Sequence, residues 1–147
     1  MKNTVFSIRH ATYKDYEPVC MMVQALALEE NSVSIFNSEH LHVFLKEQLN
    51  AVCLVAYDNN TIIGCLLAYV GYDVQSATRG WHLSDLYIMP DKRQYGAATL
   101  LMQALRKENS SCEWISWTVL RTNKIARKFY AALQAEEVDV CFMAMTV

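Results

Sequence analysis

The stretch that decides the fold reads Leu86-Tyr87-Ile88-Met89-Pro90-Asp91-Lys92-Arg93-Gln94-Tyr95-Gly96-Ala97-Ala98-Thr99-Leu100-Leu101. A β-rich run ends at Met89-Pro90, because proline fixes φ and cannot donate to a strand ladder. A short basic turn follows, and the apolar periodicity of a helix then runs from Gly96 to Lys107. A strand, a turn and a helix N-terminus in this order are typical of an anion-binding site.

The turn itself has a spacing that fits an anion. Arg93 to Ala98 reads R-x-x-G-x-A, which puts small residues where backbone N–H groups must approach a ligand closely. The helix end contributes about half a positive charge, and Lys92 and Arg93 add full charges. A pyrophosphate is therefore the expected ligand, although Gly96 and Ala98 could instead only ease the packing of the helix on the strand.

The rest of the chain alternates between strand and helix patterns. Strands are predicted at Val5–Arg9, Val52–Tyr57, Ile62–Val70, Trp81–Ile88, Glu113–Leu120 and Val138–Val147. Helices are predicted after Thr12, with apolar residues from Tyr16 to Ala27, from a Ser38 N-cap to Leu49, from Gly96 to Lys107 and over Asn123–Gln134. This order predicts one mixed α+β domain over residues 1–147, with a central, partly parallel sheet.

Composition excludes several classes of protein. The 147 residues are 53% hydrophobic and 19% charged, and the net charge of −2 leaves no basic stripe for a nucleic acid. The longest apolar stretches, Ile62–Val70 and Ala97–Leu105, are shorter than the ~20 residues of a membrane span. Met1–Arg9 lacks the apolar region of a signal peptide. We expect a soluble, cytoplasmic protein with neither nucleic acid nor a membrane as partner.

The five cysteines are odd in number, far apart and free of CxxC pairs. This spacing supports neither a disulfide framework nor a zinc site, so no metal is expected. Apolar neighbours surround each cysteine, which favours small buried hydrophobes in a reducing compartment over a catalytic thiol.

Three segments resemble the GNAT family of N-acetyltransferases. The segment from the strand through Pro90 to Leu101 resembles its acetyl-CoA-binding motif, in which a strand and Pro precede R/Q-x-x-G-x-G/A and a helix. Asn123–Ala135 resembles the N-x-x-A-x-x-F-Y-x-x-L-G-A helix of the family, and Ile8–Thr12 resembles its opening I-R-x-A-T. Within the family, the diamine (spermidine/spermine-type) acetyltransferases are nearest, through Leu26–Glu30 and Leu83–Met89.

The chain departs from the family motifs at three positions. Gln94 stands where the family usually has Gly, Ala98 replaces the last Gly of the turn, and Gln134 replaces the Gly of L-G-A. Ala98 is an accepted variant, whereas Gln94 requires a slightly different turn. Coenzyme binding is expected to survive these changes.

The resemblance implies a fold, a co-substrate and site residues. The fold is a twisted mixed sheet of six to seven strands with about four helices, and the co-substrate is acetyl-CoA, without a metal. Tyr130 would be the general acid that protonates the departing CoA thiolate, and the backbone N–H of Ile88 would bind the oxyanion. The implied coenzyme contacts are Leu86, Tyr87, Ile88, Arg93, Gln94, Tyr95, Gly96, Ala97, Ala98, Thr99, Asn123, Ala126 and Tyr130. Two of them also have plainer interpretations, Asn123 as only an N-cap and Tyr130 as a helix aromatic with its hydroxyl at the surface.

The proton acceptor is less clearly indicated. An alkylamine has a pKa of about 10.4 and must lose a proton before it attacks the thioester. The diamine-type enzymes use a Glu at the position of Ser84, and Ser cannot hold the proton. Strand alternation puts His82 on one face with Ser84 and Leu86, so a water chain from Ser84 to His82 is one route and Glu30 another. Asp85 points to the opposite face unless a bulge intervenes, and His82 could also be a partly exposed histidine without a role.

The acceptor site is expected at the end of the first predicted helix. Glu29 and Glu30 lie there beside Asn31–Asn37, and they would attract a cationic amine together with Ser84 and Asp85. The alternative is a solvated helix end. The expected reaction moves an acetyl group to a primary amine of a small, polyamine-like or diamine-like acceptor. An amino acid, aminoglycoside or protein acceptor remains open, as does a non-catalytic acetyl-CoA sensor.

The apolar composition of the last predicted strand indicates that a second copy of the chain covers it. Val138–Val147 is apolar on both faces, which is more than an exposed edge strand tolerates. A homodimer that covers this segment is therefore expected.

Overall fold

The structure, a computed structural model, describes residues 5–48 and 50–147. The chain divides into two compact units, the first ending at Trp117 and the second spanning Thr118–Val147. The prediction for Leu49 and the pattern of residues 1–4 lie outside the described residues. The assignment of residues 1–147 to a single domain stays a prediction.

The first unit contains all the strands and three helices. Its elements are β1 Ser7–His10, α1 Tyr16–Glu29, α2 Ser38–Glu47, β2 Val52–Asp58, β3 Thr61–Asp73, β4 Thr78–Ile88, α3 Ala97–Glu108 and β5 Cys112–Ser116. Short 3₁₀ turns occupy Tyr13–Asp15 and Pro90–Lys92, and the second unit contains α4, Lys124–Ala132. The mixed α+β class and the four helices are confirmed.

The sheet has the strand order β1-β2-β3-β4-β5. Neighbouring strands are antiparallel except β4 and β5, which are parallel, so the partly parallel sheet is confirmed. The hairpin between β2 and β3 turns at Asn59 and Asn60, whose φ values of 46° and 71° suit a tight turn of the primed type.

The predicted strand count was wrong. The described residues form five strands and not six to seven, because Val138–Val147 has no regular secondary structure. Its apolar side chains are exposed, and Phe142 is 82% exposed. Alternating β-formers make a strand only where a ladder partner supplies hydrogen bonds and packing, and a sequence pattern does not show that partner.

Helices cover both faces of the sheet. Helix α1 packs on β3 and β4 and contacts α2, and residues such as Val19, Leu41 and Leu67 form the core on this face. By alternation, Leu54 and Leu66 point to the opposite face, where α3 packs against β2, β3 and β4. Strand β4 is thus enclosed on both faces over much of its length.

The start of the first helical segment is fixed by an ion pair. Asp15 is only 6% exposed and accepts hydrogen bonds from Arg9 at 2.5 and 3.1 Å and from the Thr12 N–H at 2.7 Å. The Arg9 guanidinium lowers the pKa of Asp15 to about 2. The pair ties β1 to the turn that enters α1.

The cap of α2 differs from the prediction by one residue. Asn37 and not Ser38 is the N-cap, and its side chain accepts a hydrogen bond from the His40 N–H at 3.1 Å. Both residue types cap well, so propensity alone does not choose between neighbours.

The cysteines follow the predicted burial only in part. Cys20, Cys53 and Cys65 are buried, and burial raises the pKa of Cys53 to about 12. Cys112 is half-buried, and Cys141 is exposed, contrary to the expectation that all five are buried. Within residues 5–48 and 50–147, no group of three side chains that could hold a metal was found. No helix among them has the length and apolarity to cross a membrane.

Candidate active site

The two parallel strands part in the middle of β4. Their ladder ends where His82 pairs with Ser116, because β5 ends at that residue. Strand β4 continues to Ile88, so in the described chain Leu83–Ile88 have no β5 partner. Backbone groups on this edge are placed to bind an extended ligand in the manner of an added strand.

A β-bulge lies just beyond the point where the strands part. In the β3–β4 ladder Leu67 pairs with Asp85 but Ala68 pairs with Leu83, which leaves Ser84 as the extra residue. A bulge shifts the alternation of side chains by one position. Ser84 is exposed at this bulge.

The bulge changes which side chains share a face. His82 pairs with Tyr69, and Asp85 pairs with Leu67 two residues away on β3, so His82 and Asp85 lie on the same face. This is the face covered by α1 and α2, since Leu67 belongs to their core and Tyr69 contacts Phe44 of α2. The prediction that His82 shares a face with Leu86 was therefore wrong, because Leu86 pairs with Leu66.

Asp85 is a half-buried carboxyl in an unusual electrostatic setting. Burial raises its pKa, and the negative charge of Glu30 at the end of α1 raises it further. No lysine or arginine among the described side chains forms an ion pair with it. Two neighbouring carboxylates without a cation make a place that is complementary to an ammonium group.

The turn between β4 and α3 presents free backbone N–H groups. Gly96 is the N-cap with φ 92°, and the first helical hydrogen bond runs from Leu100 N–H to the Gly96 carbonyl at 3.1 Å. The N–H groups of Ala97, Ala98 and Thr99 precede that bond, as the free donors of a helix N-terminus do. A Cβ placed on Gly96 would have no neighbour within 4 Å, so the space beside these donors is open.

Gln94 keeps the left-handed backbone that glycine usually supplies. Its φ is 69° although it carries a side chain. A residue with a side chain is strained in this region of the backbone. Gln94 and the neighbouring Tyr95 are both exposed.

The basic side chains of the turn form ion pairs and hydrogen bonds with other residues of the chain. Lys92 forms an ion pair with Asp58 at 3.1 Å. Arg93 donates to the Ile88 carbonyl at 2.8 Å and to Glu29 at 2.6 Å. Arg93 thus ties the turn to the end of β4 and to α1, and Glu29 is paired, unlike Asp85. The backbone of the turn is the part that is open to an anion.

His82 is held from several sides. Its Nδ1 lies 2.9 Å from the Ser116 hydroxyl, and its ring centroid is 5.3 Å from that of Tyr69 and 5.2 Å from that of Trp114. Ser116 and Tyr69 were missed by the sequence reasoning because no motif contains them. A signal did exist in Gly71, since an isolated glycine inside a strand marks a close approach, and a Cβ there would lie 2.5 Å from the His82 ring.

The second unit contains three of the predicted site residues, Asn123, Ala126 and Tyr130. Asn123 caps α4 by accepting a hydrogen bond from the Ala126 N–H at 3.0 Å, which confirms the capping interpretation. The rings of Phe129 and Tyr130 lie 5.1 Å apart, and the Tyr130 carbonyl accepts from the Ala135 N–H at 3.1 Å. The coenzyme contact of Asn123 and the acid role of Tyr130 stay predictions.

Comparison with known proteins identifies a family for most of the chain. The sequence profile of the acetyltransferase (GNAT) family matches residues 12–134. No curated protein matches the sequence.

Solved structures of low sequence identity share the fold over nearly the full length. A possible acetyltransferase from Clostridium difficile 630 is 14% identical, with a TM-score of 0.81 and coverage of 97% of this chain and 98% of the other. An aminoglycoside acetyltransferase from an uncultured soil metagenomic sample, in complex with sisomicin, is 24% identical, with a TM-score of 0.78 and coverage of 97% of each chain. A ribosomal-protein-alanine N-acetyltransferase from Brucella melitensis biovar Abortus 2308 is 17% identical, with a TM-score of 0.76 and coverage of 97% and 99%.

Proposed function

The chain belongs to the acetyltransferase (GNAT) family, and on that premise we propose that it moves the acetyl group of acetyl-CoA to a primary amine of a small cationic acceptor. The observation that carries the proposal is the half-buried Asp85, whose pKa is raised by burial and by the negative charge of Glu30, and which lies on β4 beyond the point where β4 and β5 part. An acceptor that arrives as an ammonium ion would supply the positive charge that this place lacks.

The residues of the first unit fit acetyl-CoA. Its diphosphate would be held by the N–H groups of Ala97, Ala98 and Thr99 at the open turn, and its amide arm by the free edge of β4 between Leu83 and Ile88. Bound there, acetyl-CoA supplies an activated acetyl group as a thioester. The oxyanion role of the Ile88 N–H and the coenzyme contact of Asn123 are carried over from the family resemblance.

The acceptor would be bound by charge. Asp85 and Glu30 attract an ammonium, whereas the charge of Glu29 is already matched by Arg93. Polyamines and diamines are the acceptors that the subgroup resemblance favours. The aminoglycoside and protein acceptors named for two of the similar structures are the alternatives within the same chemistry.

The reaction needs one group to take a proton and one to give a proton. The acceptor must lose a proton to become a nucleophile, and Ser84, His82 and Glu30 are the candidates on β4 and α1. The departing thiolate needs an acid, and Tyr130 is proposed for it from its place in the N-x-x-A-x-x-F-Y motif. Replacing Tyr130 by Phe should lower kcat and leave acetyl-CoA binding as it is.

The experiment that tests the acceptor site measures how removal of each carboxylate charge changes turnover of different amines. CoA release is followed with spermidine, putrescine, lysine, other amino acids and an aminoglycoside, in the wild type and in Asp85→Asn and Glu30→Gln. We expect both variants to raise the KM for the cationic amine about tenfold and to leave the Kd of acetyl-CoA unchanged. Glu17→Gln, an exposed carboxylate in the first turn of α1, is the matched control. An unchanged KM in both variants would contradict the proposed ammonium site.

A non-catalytic acetyl-CoA sensor is the second candidate function. The observation that favours it is Ser84, which stands at the bulge where the related enzymes have a Glu. A sensor would bind acetyl-CoA tightly and release no CoA with any amine of the panel.

A homodimer is proposed from the exposed apolar end of the chain. Val138, Val140, Phe142, Met143 and Met145 are each at least 69% exposed. Apolar side chains in such a run are usually covered by a partner. A sizing column checks this, and a monomer at every concentration would end the dimer proposal.

A further inference from the structure

His82 is held more firmly than a surface histidine requires. Tyr69 and Trp114 flank its ring at 5.3 and 5.2 Å between centroids, and Ser116 contacts its Nδ1 at 2.9 Å. Trp114 is fixed in turn by a hydrogen bond from its indole N–H to the Thr78 hydroxyl at 3.0 Å. Three contacts that restrict one half-buried imidazole are typical of a side chain whose orientation matters.

The two ring nitrogens of His82 face different surroundings. The Nε2 edge lies over Gly71, where a Cβ would be only 2.5 Å away. The register places Gly71 on the side of His82 that is away from Asp85 and the bulge. Nδ1 faces Ser116, the last residue of β5, where the two parallel strands part. The Ser116 hydroxyl is thus a polar group in contact with the imidazole on the side where the strands part.

We propose that Ser116 and His82 form a relay that removes the proton from the acceptor ammonium, an inference that rests on the proposed function. The Ser116 hydroxyl and Nδ1 lie 2.9 Å apart, and the relay requires that the hydroxyl donates to Nδ1 of a neutral imidazole that carries its hydrogen on Nε2. During the reaction the N–H bond of the ammonium breaks and its proton bonds to Oγ. At the same time the Oγ–H bond breaks and that proton bonds to Nδ1. The products are a neutral amine, which attacks the thioester, and an imidazolium that returns its proton to water.

The groups around His82 suit this role. The titratable or charged groups that face it are Tyr69 on β3 and Asp85 on β4, with Glu30 of α1 next to Asp85, while Ser116 and Trp114 on β5 are uncharged. Asp85, on the same face of β4 as His82, holds the ammonium in this proposal, and its negative charge favours the imidazolium. In this proposal the hydroxyl of Ser116, which contacts Nδ1, takes the role that the sequence analysis gave to a water chain from Ser84.

The kinetic test uses Ser116→Ala with Ser116→Thr as the conservative rescue. In Ser116→Ala we expect kcat to fall about 10- to 100-fold, with the KM of the amine, the Kd of acetyl-CoA and Tm nearly unchanged. Ser116→Thr keeps the hydroxyl and should recover most of kcat. Ser76→Ala, which removes an exposed hydroxyl from the turn between β3 and β4, is the matched control and should leave kcat as it is.

A second measurement tests the hydrogen bond without any turnover. Nitrogen NMR of labelled protein reports which ring nitrogen of His82 carries hydrogen, and we expect Nε2–H in the wild type and a mixture in Ser116→Ala. Hydrogen on Nδ1 in the wild type overturns the relay whatever the activity. If the wild type is active and Ser116→Ala has the same kcat, the relay is also overturned, but the proposed function is not. Wild-type protein that releases no CoA with any amine overturns both.

Discussion

Replacing Gly96 by Ala separates the backbone strain of the turn from its role toward acetyl-CoA. Gly96 has φ 92°, a region that costs a residue with a side chain about 1–2 kcal/mol. No atom lies within 4 Å of the added Cβ, so no steric cost is added within the protein. We therefore expect Tm to fall by about 2–8 °C and the fold to persist.

The same Cβ would stand in the open space beside the free N–H groups of Ala97, Ala98 and Thr99. A diphosphate that approaches those donors would meet it, so we expect the Kd of acetyl-CoA to rise about tenfold or more. Thermal unfolding gives the first effect and titration calorimetry the second.

A control of matched stability makes the result decisive. Asp15→Asn lowers stability by a similar amount at a place away from the turn, and it should leave the Kd of acetyl-CoA unchanged. If Gly96→Ala binds acetyl-CoA as tightly as the wild type, the turn does not hold the diphosphate. If it loses no more affinity than Asp15→Asn, the loss is a general effect of destabilisation.

Three further predictions concern stability. Arg9 holds the pKa of Asp15 at about 2, below its usual 3.8. The pair therefore adds about 2 kcal/mol to the free energy of unfolding above pH 4, and this contribution is lost as the pH falls toward 2. Urea unfolding at several pH values should show that Asp15→Asn is less stable than the wild type at pH 7 and equally stable near pH 2. Gly80→Ala places a Cβ 1.9 Å from the Trp114 ring, so Tm should fall further than in Gly96→Ala. Burial raises the pKa of Asp85, which means that its charged form lowers the stability of the fold at neutral pH. Asp85→Asn should therefore raise Tm at neutral pH while it weakens the binding of the acceptor amine.

Elements with strong local patterns were predicted well from the sequence. Asn59 and Asn60 indicate the hairpin turn because asparagine tolerates the positive φ values that both residues adopt. The apolar stripe of α3 predicts both ends of that helix to within one residue of the observed Ala97–Glu108. The terminal strand failed for a physical reason, since a strand exists only through its ladder. Val138–Val147 has the right residues and, in the structure, no ladder.

The candidate site depends on contacts between residues far apart in the chain. The turn between β4 and α3 is contiguous in sequence, so its place before a helix could be predicted, but the bulge at Ser84 arises from pairing between two strands and has no signature in β4 alone. His82 and Ser116 are separated by 34 residues, and the Arg93–Glu29 pair by 64. Only the strand glycines Gly71 and Gly80 point to the ring cluster in advance, because their missing side chains make room for it.

The central claim is that the chain acetylates a cationic amine, and the most direct test is the simultaneous measurement of free CoA thiol and acetylated amine. The account predicts that wild-type protein produces the two in equal amounts from acetyl-CoA and a polyamine or diamine, and that Asp85→Asn needs more amine to do so. Tight binding of acetyl-CoA with neither product formed from any amine, or CoA release that does not depend on the amine, would contradict it.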